Sequence, residues 1–381
     1  MSTQEADRSD AAIPGGHVVD RPWRTRLSTS NWGASLSNLK LWRAIAIAAW
    51  LALVIAHLAY LGLAFDRTRL LLLLCAGLAA ASIGRRRVIT VVIDWLPFAL
   101  ILLAYDFTRN IAQWLDMPTQ WALAVDFDHW MFGVNPTVFL QSHLKQAEPP
   151  WWEVITSVVY MSYFIVPYAA AAVLWLRDRN AWRRYAAGFL LTTFLALVGY
   201  TLVPAAPPWA AAQCSAAEVT DHPRHPDCMD RAPYEGGGML GDVVPEHEGA
   251  QPYVERISAR GWDVLDIHAA SGLVRLGQAK ANLVAAIPSL HAGLTMFLAM
   301  FMWPRVGALG RVLFLGYACA MAFTLVYTAE HFVLDILLGW MLAGFAIVTV
   351  NRCAKYLKAR RGRAGEKGPE ADEEACETSN V

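Results

Sequence analysis

The stretch "YTAEHFVLDILLGWMLAGFAIVTV", Tyr327 to Val350, decides how this chain is read. From Phe332 onward its only ionisable residue is Asp335, in a run close to the roughly 20 apolar residues that cross a bilayer. A carboxylate at that depth is costly and normally faces a cavity or a partner rather than lipid. His331 stands four residues before it, a spacing that brings both side chains onto one helical face within hydrogen-bonding reach. The run reads as a membrane helix that opens on a paired histidine and aspartate. Taken alone, the pair also fits a helix cap or an interhelical contact.

Arg352, Lys355, Lys358, Arg360, Arg361 and Arg363 come directly after it. The positive-inside rule puts that end in the cytoplasm and the His331 end outside. Working backwards, "WPRVGALGR" (Trp303–Arg311), "RDRNAWRR" (Arg177–Arg184) and Arg85–Arg87 fall on the inner side as well. Clear apolar runs cover Ala44–Phe65, Val154–Leu176, Tyr185–Val203, Leu283–Trp303, Val312–Thr328 and Phe332–Val350, with weaker ones at Leu70–Ile83 and Val88–Tyr105, the latter holding Asp94. The expected fold is an all-α polytopic membrane protein with about eight transmembrane helices.

Composition agrees: 56% of residues are hydrophobic and 17% charged, with the charge at the ends and between apolar runs. The formal net charge is zero, so no general basic field points to a nucleic-acid partner. Residues 1–40 are polar, lack a signal-peptide pattern, and read as a flexible cytoplasmic tail. Residues 41–350 read as the membrane-embedded domain, and residues 351–381 as a basic and then acidic cytoplasmic tail. Two outward segments remain, 105–150 and 204–282. The first mixes aromatics with Asp126, Asp128 and His129, as an element at head-group level would. The second is far longer than a usual helix connection and reads as an extracytoplasmic loop or cap.

Cys214 and Cys228 share that second segment. In an oxidising compartment they are a disulfide candidate, and otherwise two thiols. With His222 and His225 they also number four, the count of a zinc site, although the spacing fits no usual ligand pattern.

Three polar motifs converge on the outward side: "YTLVPAAPPW" (Tyr200–Trp209), "PSLHA" (Pro288–Ala292) and "YTAEHFVLDILLGW" (Tyr327–Trp340). In this order they resemble the type 2 phosphatidic acid phosphatase superfamily in its membrane-embedded six-helix form. "PAAPPW", "SGLVR" (Ser271–Arg275), "FGVNPTVFLQ" (Phe132–Gln141) and "YTAEH" are similar to the inositol phosphorylceramide synthase branch, the inositol phosphotransferases. The resemblance runs over roughly residues 100–350.

It implies that His331 attacks phosphorus to give a phosphohistidine, Asp335 holds its ring, and His291 protonates the leaving alcohol. A neutral imidazole is a competent nucleophile, and a second histidine can serve as acid and then base near neutral pH. Ser289 and backbone N–H groups at the start of its helix would hold phosphate oxygens, with Tyr327 beside the substrate. The scheme needs no metal and no cofactor, and its substrate is a lipid phosphate or phospholipid in the membrane. It implies a site on the outer face of the plasma membrane, and the composition fits a bacterial inner membrane.

The chain departs from the broader superfamily in two places. The first motif lacks the usual Lys and Arg-Pro, and Thr324 and Leu325 stand where a Ser-Arg pair is expected. Phosphoryl transfer needs cations or donors on the phosphate oxygens, so Arg275, Arg109 and Lys280 are the candidates. Two rival readings stand beside it: a lipid or polyprenyl phosphate phosphatase, and a proton-coupled transporter with His57, Asp94, His291, His331 and Asp335 as a relay.

Overall fold

The computed structural model describes residues 30–61, 67–85, 87–108, 115, 117–232, 236–279 and 284–366. Arg109, Lys280, most of the expected amino-terminal tail and the acidic carboxyl-terminal segment lie outside the described residues.

Fourteen α-helices carry the described chain. The membrane part opens with α1 (Ser30–Leu61), α2 (Arg67–Ser82) and α3 (Ile89–Thr108). Two short helices follow, α4 (Leu123–Phe132) and α5 (Pro136–Leu144), and lead to α6 (Glu153–Ser162), α7 (Val166–Arg177) and α8 (Arg179–Leu202). The long segment holds α9 (Pro208–Ala211), α10 (Arg260–Val264) and α11 (His268–Ala279). The chain then returns to the bundle through α12 (Leu290–Met302), α13 (Ala308–Tyr327) and α14 (Val333–Glu366). Among the described residues sheet pairing is limited to the parallel bridges Gln120–Ala205 and Ala205–Ala285.

Each of the eight expected spans is helical, but fewer are long and apolar enough to cross a membrane. Among the described residues four qualify, in α1, α8, α13 and α14, and a fifth if α6 and α7 count as one span bent by 50°. The bend has a local cause: Pro167 in the first turn of α7 has no N–H for the carbonyl of Tyr163 and crowds it. The sixth expected span starts late, at Leu290 rather than Leu283, because the residue before Pro288 is barred from helical geometry and Ser289 caps the new helix. Helix α1 begins at Ser30, and α14 continues through the basic run to Glu366.

Large apolar side chains such as Ile55, Ile93, Val312, Leu313, Met341 and Phe345 are exposed. In water such patches invite association, whereas in a bilayer they face lipid. Helix α12 is the opposite case, buried almost all round among α14, α13, α8 and α7. A helix apolar on every face belongs in such a place.

Helices in lipid associate through close packing rather than a hydrophobic drive, and small residues allow it. A Cβ on Gly339 would lie 2.3 Å from the Ser289 carbonyl oxygen, and one on Gly199 would lie 2.4 Å from Cδ of Pro288. The glycines of α14 and α8 thus accept the backbone of the "PSLHA" motif. That motif is the hub of the fold.

Candidate active site

The start of α14 is built by two buried carboxylates. Asp335, in the first turn, reaches back so that its Oδ2 accepts the N–H of Phe332 at 2.9 Å, half of a capping box. Asp128, delivered by α4, accepts the next two N–H groups, from Val333 at 2.9 Å and Leu334 at 3.1 Å. Negative charge is favoured at a helix N-terminus, yet both carboxylates are fully buried. Burial pushes Asp128 up to about 6, with Asp335 adding repulsion and the two backbone donors opposing.

His331 precedes this helix rather than lying on it, because Ala329 takes a left-handed turn (φ 60°). Its contact with Asp335 is made all the same: Nδ1 lies 3.2 Å from Oδ2. An ionised carboxylate only accepts, so Nδ1 carries the proton and Nε2 keeps the lone pair.

His291 enters from the first turn of α12, and its ring centroid lies 5.7 Å from that of His331. Its imidazole stacks on Tyr160 at 5.3 Å and lies 4.0 Å from the ring of Tyr163 and 6.0 Å from that of Phe164. The broken turn between α6 and α7 supplies this aromatic seat. Ser289 is buried, and its hydroxyl oxygen accepts the N–H of Ala292 at 3.3 Å as the helix cap.

The helix-start N–H groups expected to hold phosphate are largely engaged already. Ser289 donates to the Asp335 carbonyl at 2.9 Å, and Leu290 donates to the Tyr200 hydroxyl at 3.2 Å. These bonds instead fasten one motif to another. Ala205 of "PAAPPW" adds two links: its neighbours pair with Gln120, and its own N–H donates to Val284 at 2.7 Å. Trp209 donates to Ala329 at 3.1 Å. Backbone hydrogen bonds therefore join all three motifs around the two histidines.

Beside them lies a polar cluster that the sequence did not announce. Arg256 holds Glu330 with both prongs of its fork, Nε to Oε1 at 2.9 Å and Nη2 to Oε2 at 2.7 Å. Ser258 donates to Oε1 at 2.6 Å and Gln278 at 2.8 Å. Arg256 also lies over the Trp209 ring, at 5.1 Å.

The other expected residues fall elsewhere. Arg275 is 65% exposed and pairs with Asp263 at 3.2 Å. Tyr327 is fully buried, and its hydroxyl donates to Glu153 at 2.8 Å. Asp94 pairs with Arg179 and accepts from Trp175 at 2.8 Å, which removes it from any proton relay with the histidines. Cys214 and Cys228 are joined in a disulfide, with Cα atoms 5.2 Å apart, and Nδ1 of His222 lies 2.9 Å from the Thr119 carbonyl. That pairing rules out the four-ligand zinc reading of the loop, since the two sulfurs bond to each other.

Sequence reasoning missed the capping role of Asp128, the seat formed by Tyr160 and Tyr163, and Arg256. Asp128 stood out as an acidic residue among interfacial aromatics, but its partners are 205 and 206 positions away. Arg256 sits in a stretch without periodicity.

Fold and site together define an all-helical membrane protein organised around a paired-histidine centre. The chain belongs to the PAP2 superfamily, whose model matches residues 125–349. It is also similar to the phosphoinositol dihydroceramide synthase of Bacteroides thetaiotaomicron, 24% identical over 251 residues that cover 64% of this chain and 71% of that protein. No solved structure matches the chain. Family and relative support a phosphoryl transferase or hydrolase that works on lipid.

Proposed function

We propose that the protein is a lipid phosphotransferase that moves a phosphorylated head group from one lipid to another through a phosphohistidine on His331 whose phosphorus still carries the head group. The observation that carries this reading is the Nδ1 contact of His331 with Asp335, set opposite the ring of His291. It leaves Nε2 as the nucleophilic atom.

In the first half-reaction Nε2 attacks phosphorus and the bond from phosphorus to the leaving oxygen breaks, while His291 gives that oxygen a proton. In the second, an acceptor hydroxyl passes its proton to His291, its oxygen attacks phosphorus, and the phosphorus–nitrogen bond breaks. His331 and His291 return to their starting states. A lipid alcohol as acceptor makes the enzyme a transferase, and water makes it a phosphatase.

The name of the Bacteroides relative suggests the substrate class, an inositol-phosphate head group and a ceramide-type acceptor. A lipid substrate also suits an apolar cavity of about 500 Å³ between α1, α2 and the bent α6–α7 pair. Trp50, Leu74, Met161 and Phe164 line it, and Phe164 also touches His291, so an acyl chain in the groove would end near the site.

The site is assigned to the outer face of a bacterial plasma membrane. The basic run after α14 favours the cytoplasm for the opposite end, and the Cys214–Cys228 bond suits an oxidising compartment.

The test is to incubate purified wild type and His331→Ala with phosphatidylinositol, with and without dihydroceramide, and follow products by mass spectrometry. Diacylglycerol with a phosphorylated ceramide, formed only by wild type, is expected. Diacylglycerol with free inositol phosphate and no phosphorylated acceptor would make it a hydrolase. Equal turnover by the variant would overturn the role of His331.

A further inference from the structure

Transfer to an imidazole leaves negative charge on the equatorial phosphate oxygens, and that charge needs fixed donors or cations. The positions that usually supply them are apolar or neutral in this chain, Arg275 faces Asp263 at the surface, and the N–H groups beginning α12 are mostly taken. We propose that Arg256, carried by the outward cap segment, is the phosphate-holding cation among the described residues, with Glu330 as the residue that aims it. This rests on the reading of His331 as nucleophile.

Arg256 reaches both histidines through one neighbour each. Glu330, which it grips with two prongs, directly precedes His331. On the other side the guanidinium meets the Tyr160 hydroxyl, and Tyr160 stacks on His291. About a quarter of the Arg256 side chain is accessible, while the guanidinium itself is held inside the cluster. Two prongs on Glu330 leave further N–H donors of the five for a phosphate oxygen.

The carboxylate of Glu330 beside an anion would ordinarily repel it. Here that charge is answered by the guanidinium and by two more donors on Oε1, from Ser258 and Gln278. A carboxylate so saturated orients its partner and adds little net negative field.

The segment bearing Arg256 is also fixed in place. Gln141 grips the backbone of Glu255 on both sides, donating to its carbonyl at 2.8 Å and accepting its N–H at 2.9 Å. Buried Lys145 donates to the Tyr253 carbonyl at 2.7 Å, and Ile257 donates to Thr328 at 3.4 Å. Further on, Gly261 donates to the Ser157 hydroxyl at 3.1 Å, in contact too close for any Cβ. Such an anchored loop positions a cation as firmly as a helix would. The cap segment is then part of the catalytic centre.

The test uses orthovanadate, a phosphate analogue, on the full-length protein in detergent. Its dissociation constant is measured for wild type, Arg256→Lys, Arg256→Gln and Glu330→Gln, alongside thermal midpoints and, after incubation with phosphatidylinositol, mass-spectrometric detection of an inositol-phosphoryl adduct on His331. The expected result is a loss of vanadate affinity of about 10-fold in Arg256→Lys, where the fork is replaced by a point charge, and more in Arg256→Gln. Glu330→Gln should weaken vanadate less than Arg256→Gln does. Arg256→Lys keeps charge and most of the packing, so it carries the test if Arg256→Gln fails to fold. Wild-type vanadate affinity in folded Arg256→Lys, with His331 still phosphorylated, would overturn the assignment. Absence of the inositol-phosphoryl adduct on His331 in turning-over wild type would overturn the nucleophile reading instead, whatever Arg256 does to vanadate.

Discussion

Oδ2 of Asp335 accepts two hydrogen bonds at once, from the backbone of Phe332 at 2.9 Å and from Nδ1 of His331 at 3.2 Å. One oxygen thus caps the helix and sets the tautomer of the histidine in front of it. In Asp335→Asn the amide oxygen can take that position and keep both contacts, so the helix start survives while the negative charge is lost. Turnover should fall by at least about 100-fold, as when a buried carboxylate behind a catalytic histidine is neutralised, with the far-ultraviolet spectrum unchanged. Steady-state kinetics beside circular dichroism check this.

Gly339 concerns distance rather than charge. A Cβ there would stand 2.3 Å from the Ser289 carbonyl oxygen and 3.1 Å from the Gly293 nitrogen. Gly339→Ala should force α14 off α12 and part the two histidines, costing about 1–3 kcal/mol of stability and about 100-fold in turnover. Gly344→Ala, on the same helix but with nothing within 4 Å of its Cβ, is the control and should leave both unchanged.

Much of this was legible in the sequence, for reasons particular residues make plain. Every apolar run holds a helix among the described residues, and the spacing of His331 and Asp335 foretold their contact. Its setting could not be foreseen, because the left-handed turn at Ala329 places His331 ahead of the helix. Pro167 carried a readable signal, the break that makes two helices of one run. Pro288 likewise marked where α12 begins. Asp128 and Arg256 were beyond reach, since their roles come from partners 74 or more positions away. Local periodicity holds no record of such contacts.

The apolar groove offers a test of substrate length. Ala172 lines it, so Ala172→Trp should fill part of the roughly 500 Å³ without entering the paired-histidine centre. Turnover of long-chain lipid should fall severalfold while that of a short-chain analogue holds, a selectivity expected when a side chain occupies space a ligand needs. Equal loss for both chain lengths would place the acyl chain elsewhere.

Asp128 gives a prediction in pH. Burial raises its folded pKa to about 6, well above the ordinary carboxylate value. Between about pH 4 and pH 6 the folded protein therefore holds more protons at this position than the unfolded chain does. Where the folded state binds the extra proton, stability falls as pH rises. The contribution of Asp128 should decline across that window and stay level above it. Thermal midpoints of wild type and Asp128→Asn, measured from pH 3.5 to 8, isolate the effect: the difference, wild type minus variant, should drop between pH 4 and 6 and then plateau. Parallel curves would mean that Asp128 has the same pKa folded and unfolded, the N–H groups of Val333 and Leu334 offsetting the burial.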